Sequence, residues 1–81
     1  MRQELNSVDL EQVVGGTVRL NTTRMRIGFT VLNQAFNLKN CEDYQAMGLV
    51  AELYGKYKNE GDRAFEEATL AAFRAKGWID G

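Results

Sequence analysis

The apolar residues of this chain change their period near Asn40, and that change constrains the fold more than any other feature of the 81 residues. Between residues 17 and 32, Val18 and Leu20 alternate with Thr17 and Arg19. Met25, Ile27, Phe29 and Val31 then alternate with Arg24, Arg26, Gly28 and Thr30. A period of two puts one face of a strand on a core and the other in solvent. With the polar break Asn21-Thr22-Thr23 between the runs, it predicts a β-hairpin over about 17–32. The break also fits a glycosylation acceptor, which matters only on a eukaryotic secretory route, so it reads as a turn. Gly28 inside the second run points to a bulge or a close backbone approach. From Asn33 to Lys39 the spacing of Leu32, Ala35 and Phe36 allows a short helical turn.

Beyond Asn40 the period becomes helical. Ala46, Leu49, Val50, Leu53 and Tyr57 follow i, i+3, i+4, i+7 spacing, with Tyr54 beside them. Asn40 is a candidate N-cap, Glu42 and Asp43 suit the positive end of the dipole, and Lys56 and Lys58 suit its other end. This predicts a helix over about 41–58. Ala51 and Gly55, four apart, offer a close-packing stripe or simply accommodate neighbours. A second helix over about 62–76 carries Phe65, Ala68, Ala72 and Phe73, with Asp62 as cap, Glu66 and Glu67 early, and Arg74 and Lys76 late. Gly77 stands where a left-handed C-cap belongs, and Trp78-Ile79 reads as an apolar plug folding back on the core. The expected class is therefore a small α+β fold: a flexible or helical N-terminal segment, a β-hairpin, then two main α-helices.

Composition removes several kinds of chemistry. There is no histidine and Cys41 is the sole cysteine, so a Cys/His zinc site, an intrachain disulfide and an imidazole-based triad are all excluded. Glu66-Glu67 are adjacent and diverge on a helix, so they do not face one substrate. No glycine loop of the phosphate-cradling kind occurs. The expectation is no enzyme, no cofactor and no metal. The densest apolar stretch, Ala46 to Leu53, is interrupted by Gly48 and Glu52 and falls short of the ~20 residues of a membrane span. No conventional secretory signal is present either, since residues 1–16 lack a continuous apolar region.

Charge divides the chain into three. Residues 1–16 hold Arg2 against Glu4, Asp9 and Glu11. Residues 17–40 hold Arg19, Arg24, Arg26 and Lys39 and no acid, and residues 41–81 hold five bases and eight acids. The boundaries fall at Gly15-Gly16 and near Asn40.

The first segment carries the functional signal. Counting back from Gly16, apolar residues stand at Leu5, Leu10 and Val13, with Asp9 and Glu11 between them, and Gly15-Gly16 follow. This pattern, over about a fifth of the chain, resembles the double-glycine leader peptides of small bacterial secreted peptides. The resemblance implies an export leader over 1–16 and a folded cargo over 17–81. It also implies cleavage between Gly16 and Thr17 by the peptidase domain of an ABC exporter. Leu5, Asp9, Leu10 and Val13 would be the recognition residues, and Gly15, Gly16 and Thr17 would enter the cleft. The implied product is a bacteriocin-like or signalling peptide, made in a bacterial cytoplasm, secreted, and directed at an unknown extracellular target.

A short amphipathic helix can present Leu5, Leu10 and Val13 to an apolar groove. Two residues without Cβ can thread a narrow channel. A Gly-Gly pair is also an ordinary helix-to-strand turn, so two other readings stand beside the first. One is an intracellular interaction module whose residues 1–16 are simply its first helix. The other is a leader-guided substrate of a peptide-modifying enzyme, altered at Cys41.

Cys41 would sit at a helix start, where the dipole lowers a thiol pKa, yet it lacks a histidine partner and reads more readily as a small semi-buried or unpaired thiol. It could also pair two chains in an oxidising space. Arg19, Arg24 and Arg26 form a basic patch, suited to weak contact with an anionic membrane surface or to a solvated hairpin face. With a net charge of −1, no nucleic-acid partner is expected. Tyr54, Tyr57, Phe65, Phe73 and Trp78 follow helical spacing and read as core.

Overall fold

A computed structural model describes residues 11–80. Four short strands precede two helices: β1 (Glu11–Val14), β2 (Val18–Asn21), β3 (Arg26–Phe29), β4 (Gln34–Asn37), α1 (Asp43–Tyr57) and α2 (Asp62–Lys76). The strands form one antiparallel meander in the order β1-β2-β3-β4. The class is the small α+β fold expected from the period change.

The expected hairpin is the centre of that sheet. Val18 pairs with Phe29 and Leu20 with Ile27, and all four are buried on the helix-covered face. Burying each such side chain contributes about 1.5–3 kcal/mol, so β2 and β3 hold most of the sheet's share of the core. Asn21 Oδ1 accepts a hydrogen bond from the Arg24 backbone N–H at 2.8 Å, closing the Asn21-Thr22-Thr23 turn.

Three local expectations differ. Residues 34–37 are not a helical turn but strand β4, with Phe36 paired to Ile27. Phe36 packs edge-on against Phe29, their ring centroids 6.2 Å apart. Aromatic cross-strand packing outweighs the weak helical spacing there. Residues 11–14, placed in a flexible or helical segment, form strand β1, paired from Glu11–Asn21 to Val14–Val18. Gly28 marks neither a bulge nor a tight approach. Its pairing with Arg19 and Ala35 is regular, and a Cβ there would lie at an ordinary 3.8 Å from that of Arg19.

The second helix spans the expected 62–76 and the first begins later than expected, and the cap of each differs from the one proposed. Glu42 caps α1 through a capping box, with the Gln45 side chain returning to the Glu42 N–H at 2.8 Å. Asn40 instead adopts a left-handed backbone, φ 61°, and its side-chain amide donates to the Gly77 carbonyl at 2.9 Å. Gly61 rather than Asp62 precedes α2. At the other end Gly77 is the expected left-handed cap, φ 75°, and the Trp78 N–H donates to the Phe73 carbonyl at 3.0 Å.

The tail folds back as expected. Ile79 is buried, Trp78 is half-buried with its ring edge-on to Phe73 at 5.5 Å, and the Trp78 carbonyl accepts from Lys39 N–H. Lys39 and Asp80 add an exposed ion pair of small weight. Along α1, Ala46 and Val50 are buried, while Leu49, Leu53 and Tyr57 pack at the core's margin. Ala51 and Gly55 are both exposed, so they form no close helix contact.

Every buried residue described, from Thr17 and Val18 to Ile79, lies after Gly16. β1 contributes paired backbone and a half-buried Val14. Net, a backbone hydrogen bond is worth only about 0.5–1.5 kcal/mol. Among the described residues, the body of the core therefore comes from 17–80.

Candidate functional site

Leu5, Asp9 and Leu10, three of the proposed recognition residues, lie outside the described residues. Val13 stands on the outer face of β1 and is 54% exposed. Gly15 and Gly16 form the tight turn from β1 into β2, with φ 64° and 76°, and the Thr17 N–H donates to the Val14 carbonyl at 3.3 Å. Two successive positive φ values lie in the left-handed region that glycine adopts freely and L side chains resist.

The two glycines do not have equal surroundings. A Cβ on Gly16 would meet nothing within 4 Å, whereas one on Gly15 would lie 2.8 Å from the Tyr54 ring and 3.2 Å from Phe65. Gly15 thus closes over the edge-to-face pair of Tyr54 and Phe65, whose centroids are 5.5 Å apart. We expect Gly15→Ala to destabilise the folded chain by about 2–3 kcal/mol and Gly16→Ala by only about 1 kcal/mol. Urea unfolding of the two variants measures the difference. Equal losses would mean that the Tyr54 contact does not constrain the turn.

Thr17, the residue after the proposed bond, is 2% exposed. Its carbonyl accepts from the Thr30 N–H at 3.1 Å and from Thr30 Oγ1 at 2.8 Å. Its hydroxyl donates to Oε2 of Glu66. Glu66, in the first half of α2, is fully buried. Oε2 also accepts the Val31 N–H and Oε1 accepts the Leu32 N–H, each at 2.8 Å. One carboxylate therefore ties the β1–β2 turn, the β3–β4 turn and α2 together. It has three donors and no ion pair with any described residue. Glu67 diverges to solvent and meets Arg63 at 3.5 Å.

Sequence reading missed Glu66, because an acid early in a helix is explained by the dipole alone. The available signal was position. Glu66 falls within the stripe of Phe65, Thr69 and Phe73, where a polar side chain must find partners. Thr69 finds its own in the Phe65 carbonyl at 2.8 Å.

The basic patch lies on the sheet face away from the helices. Arg19 and Arg26 are exposed there on β2 and β3, and Arg24 is exposed in the turn between them. With Glu11, Gly28 and Ala35 they line an open groove of about 580 Å³. Their exposure on this face suits either reading of the patch, a solvated hairpin face or weak contact with an anionic surface.

Cys41 precedes α1 instead of lying in its first turn. Burial, and then the negative charge of Glu42, raise its pKa. The expected lowering by the helix dipole is overturned, because the thiol is half-buried beside a carboxylate. We expect iodoacetamide to modify Cys41 more slowly at pH 7 than it modifies an unstructured cysteine peptide, with the rate rising as pH is raised. A rate equal to that of the peptide would contradict this environment.

Among the described residues no group of His, Cys, Asp and Glu is placed to hold a metal, and no helix is long and apolar enough to cross a membrane. No protein-family model matches the chain, and neither the curated proteins nor the solved structures contain a match.

Proposed function

We propose that this chain is the precursor of a small bacteriocin-like or signalling protein, exported from a bacterial cytoplasm by a peptidase-containing ABC transporter. That transporter's peptidase recognises residues 1–16 through Leu5, Asp9, Leu10 and Val13 and cuts between Gly16 and Thr17. The chain is then the substrate of the reaction and not its catalyst. One observation supports the reading: among the described residues, the double-glycine pattern ends where the buried residues begin, at Thr17. A leader can be lost there with the central core residues kept together. The secreted part acts on an extracellular target, and its face of Arg19, Arg24 and Arg26 offers weak contact with an anionic membrane surface.

Mass spectrometry of medium and cells from a strain expressing the chain with its exporter tests this. A secreted species beginning at Thr17 is expected. Full-length chain confined to cells would overturn the reading, and an altered mass would point to a leader-guided modifying enzyme. The rival reading is an intracellular interaction module with no processing. It has its own support in the packing of Gly15 on Tyr54 and Phe65, which gives the glycine a purely architectural reason.

A further inference from the structure

We infer that the α-amino group freed at Thr17 by cleavage is received by the Glu66 carboxylate, forming an internal ion pair that exists only in the processed chain. This rests on the cleavage site proposed above. Hydrolysis adds one water across the Gly16–Thr17 bond. The C–N bond breaks, Gly16 keeps the oxygen as a carboxylate, and the Thr17 nitrogen gains protons to become an ammonium group, the ordinary form of an α-amine at neutral pH.

In the uncut chain this nitrogen is a neutral amide that donates to the Val14 carbonyl. Cleavage takes that acceptor away with the leader and places a positive charge on a residue that is nearly fully buried in the uncut chain. A buried charge without a partner is costly. The partner is already in place, because Glu66 Oε2 holds the hydroxyl of the same threonine. The nitrogen and Oγ1 of one threonine lie roughly 3–4 Å apart, the value depending on χ1. A small swing of the new chain end therefore brings the amine onto the carboxylate.

The surroundings leave Glu66 available. From β3–β4 it meets only the neutral amides of Val31 and Leu32. On α2 the nearest charges in sequence, Arg63 and Glu67, are exposed and paired with each other. On α1 the group facing this corner is the Tyr54 ring, against Gly15 and Phe65. On β2 Arg19 belongs to the opposite face of the sheet. Glu66 is thus a buried carboxylate supplied with neutral donors and no described cation, beside the one backbone nitrogen that processing would charge.

The test labels threonine nitrogen with 15N, cuts the full chain in urea with the peptidase domain of a double-glycine exporter, and returns the product to buffer. The Thr17 amine is then titrated by NMR. We expect it to bind its proton about tenfold more tightly than an exposed α-amine, and Glu66→Gln to abolish that gain. An ordinary titration, or one unchanged by Glu66→Gln, overturns the inference while leaving the cleavage site intact. Should Glu66→Gln fail to fold, a chain retaining Gly16 before Thr17 keeps Glu66 but displaces the amine, and its titration must be ordinary. If the peptidase does not cut at Gly16–Thr17, the proposed function fails instead. The same titration is then made on product released from a fusion partner ending in Gly-Gly, where an ordinary amine refutes the ion pair independently.

Discussion

Glu66→Ala is expected to destabilise the domain by about 3–5 kcal/mol. The substitution strands three donors, the buried Thr17 hydroxyl and the part-buried Val31 and Leu32 amides. Each unsatisfied buried group costs about 1–3 kcal/mol, and the losses overlap because water can enter one shared cavity. A domain of this size has a total stability of about 4–12 kcal/mol. The variant is therefore expected to sit near the edge of folding. Hydrogen exchange separates this from general weakening: the Val31 and Leu32 amides should lose protection before the Leu20 and Ile27 amides do. Uniform loss across the sheet would show that Glu66 is not the tie between the turns.

Phe73→Ala is expected to cost a similar amount for a different reason. Phe73 is fully buried near the end of α2 and stacks edge-on with Trp78, so removing its ring leaves a cavity between helix and tail. Phe-to-Ala changes in cores cost about 3–5 kcal/mol, the spread reflecting how far the site collapses. Trp78 reports the change directly. Its fluorescence should shift to the red as it gains water, and Phe73→Leu should recover most of the loss. A blue or unchanged Trp78 spectrum in Phe73→Ala would mean that the ring does not support the tail. The two variants also differ in kind: the first loosens turns and leaves the Trp78 environment alone, and the second does the reverse.

The parts of this fold that were legible share one property, which is that burial imposes a period. Val18, Leu20, Ile27 and Phe29 announce their strands because each alternates with a solvent-facing neighbour. Ala46, Val50, Phe65 and Phe73 announce the helices for the same reason. β1 and β4 escaped notice because both are four-residue edge strands whose side chains are mostly exposed, so burial writes no pattern on them. Asn40 was misread because its side chain caps nothing next to it and reaches instead to Gly77, 37 residues away. Glu66 was illegible for a related reason: its partners are supplied by turns that only the completed fold brings together. Gly15-Gly16 was open to two readings, an address for an enzyme and an ordinary turn, and the contact of Gly15 with Tyr54 was open to view only once α1 was in place.

The bond between Thr17 and Glu66 spans 49 positions of sequence. A ribosome adds roughly 5–20 residues per second, so Thr17 exists for roughly 2–10 s before its partner has been made. During that interval the start of β2 has only Thr30 and the pairing with β3 downstream to hold it, and the carboxylate that ties it to the helices is missing. Any agent that must grip those residues in extended form has its opportunity while the molecule is still being born, and loses it once α2 docks.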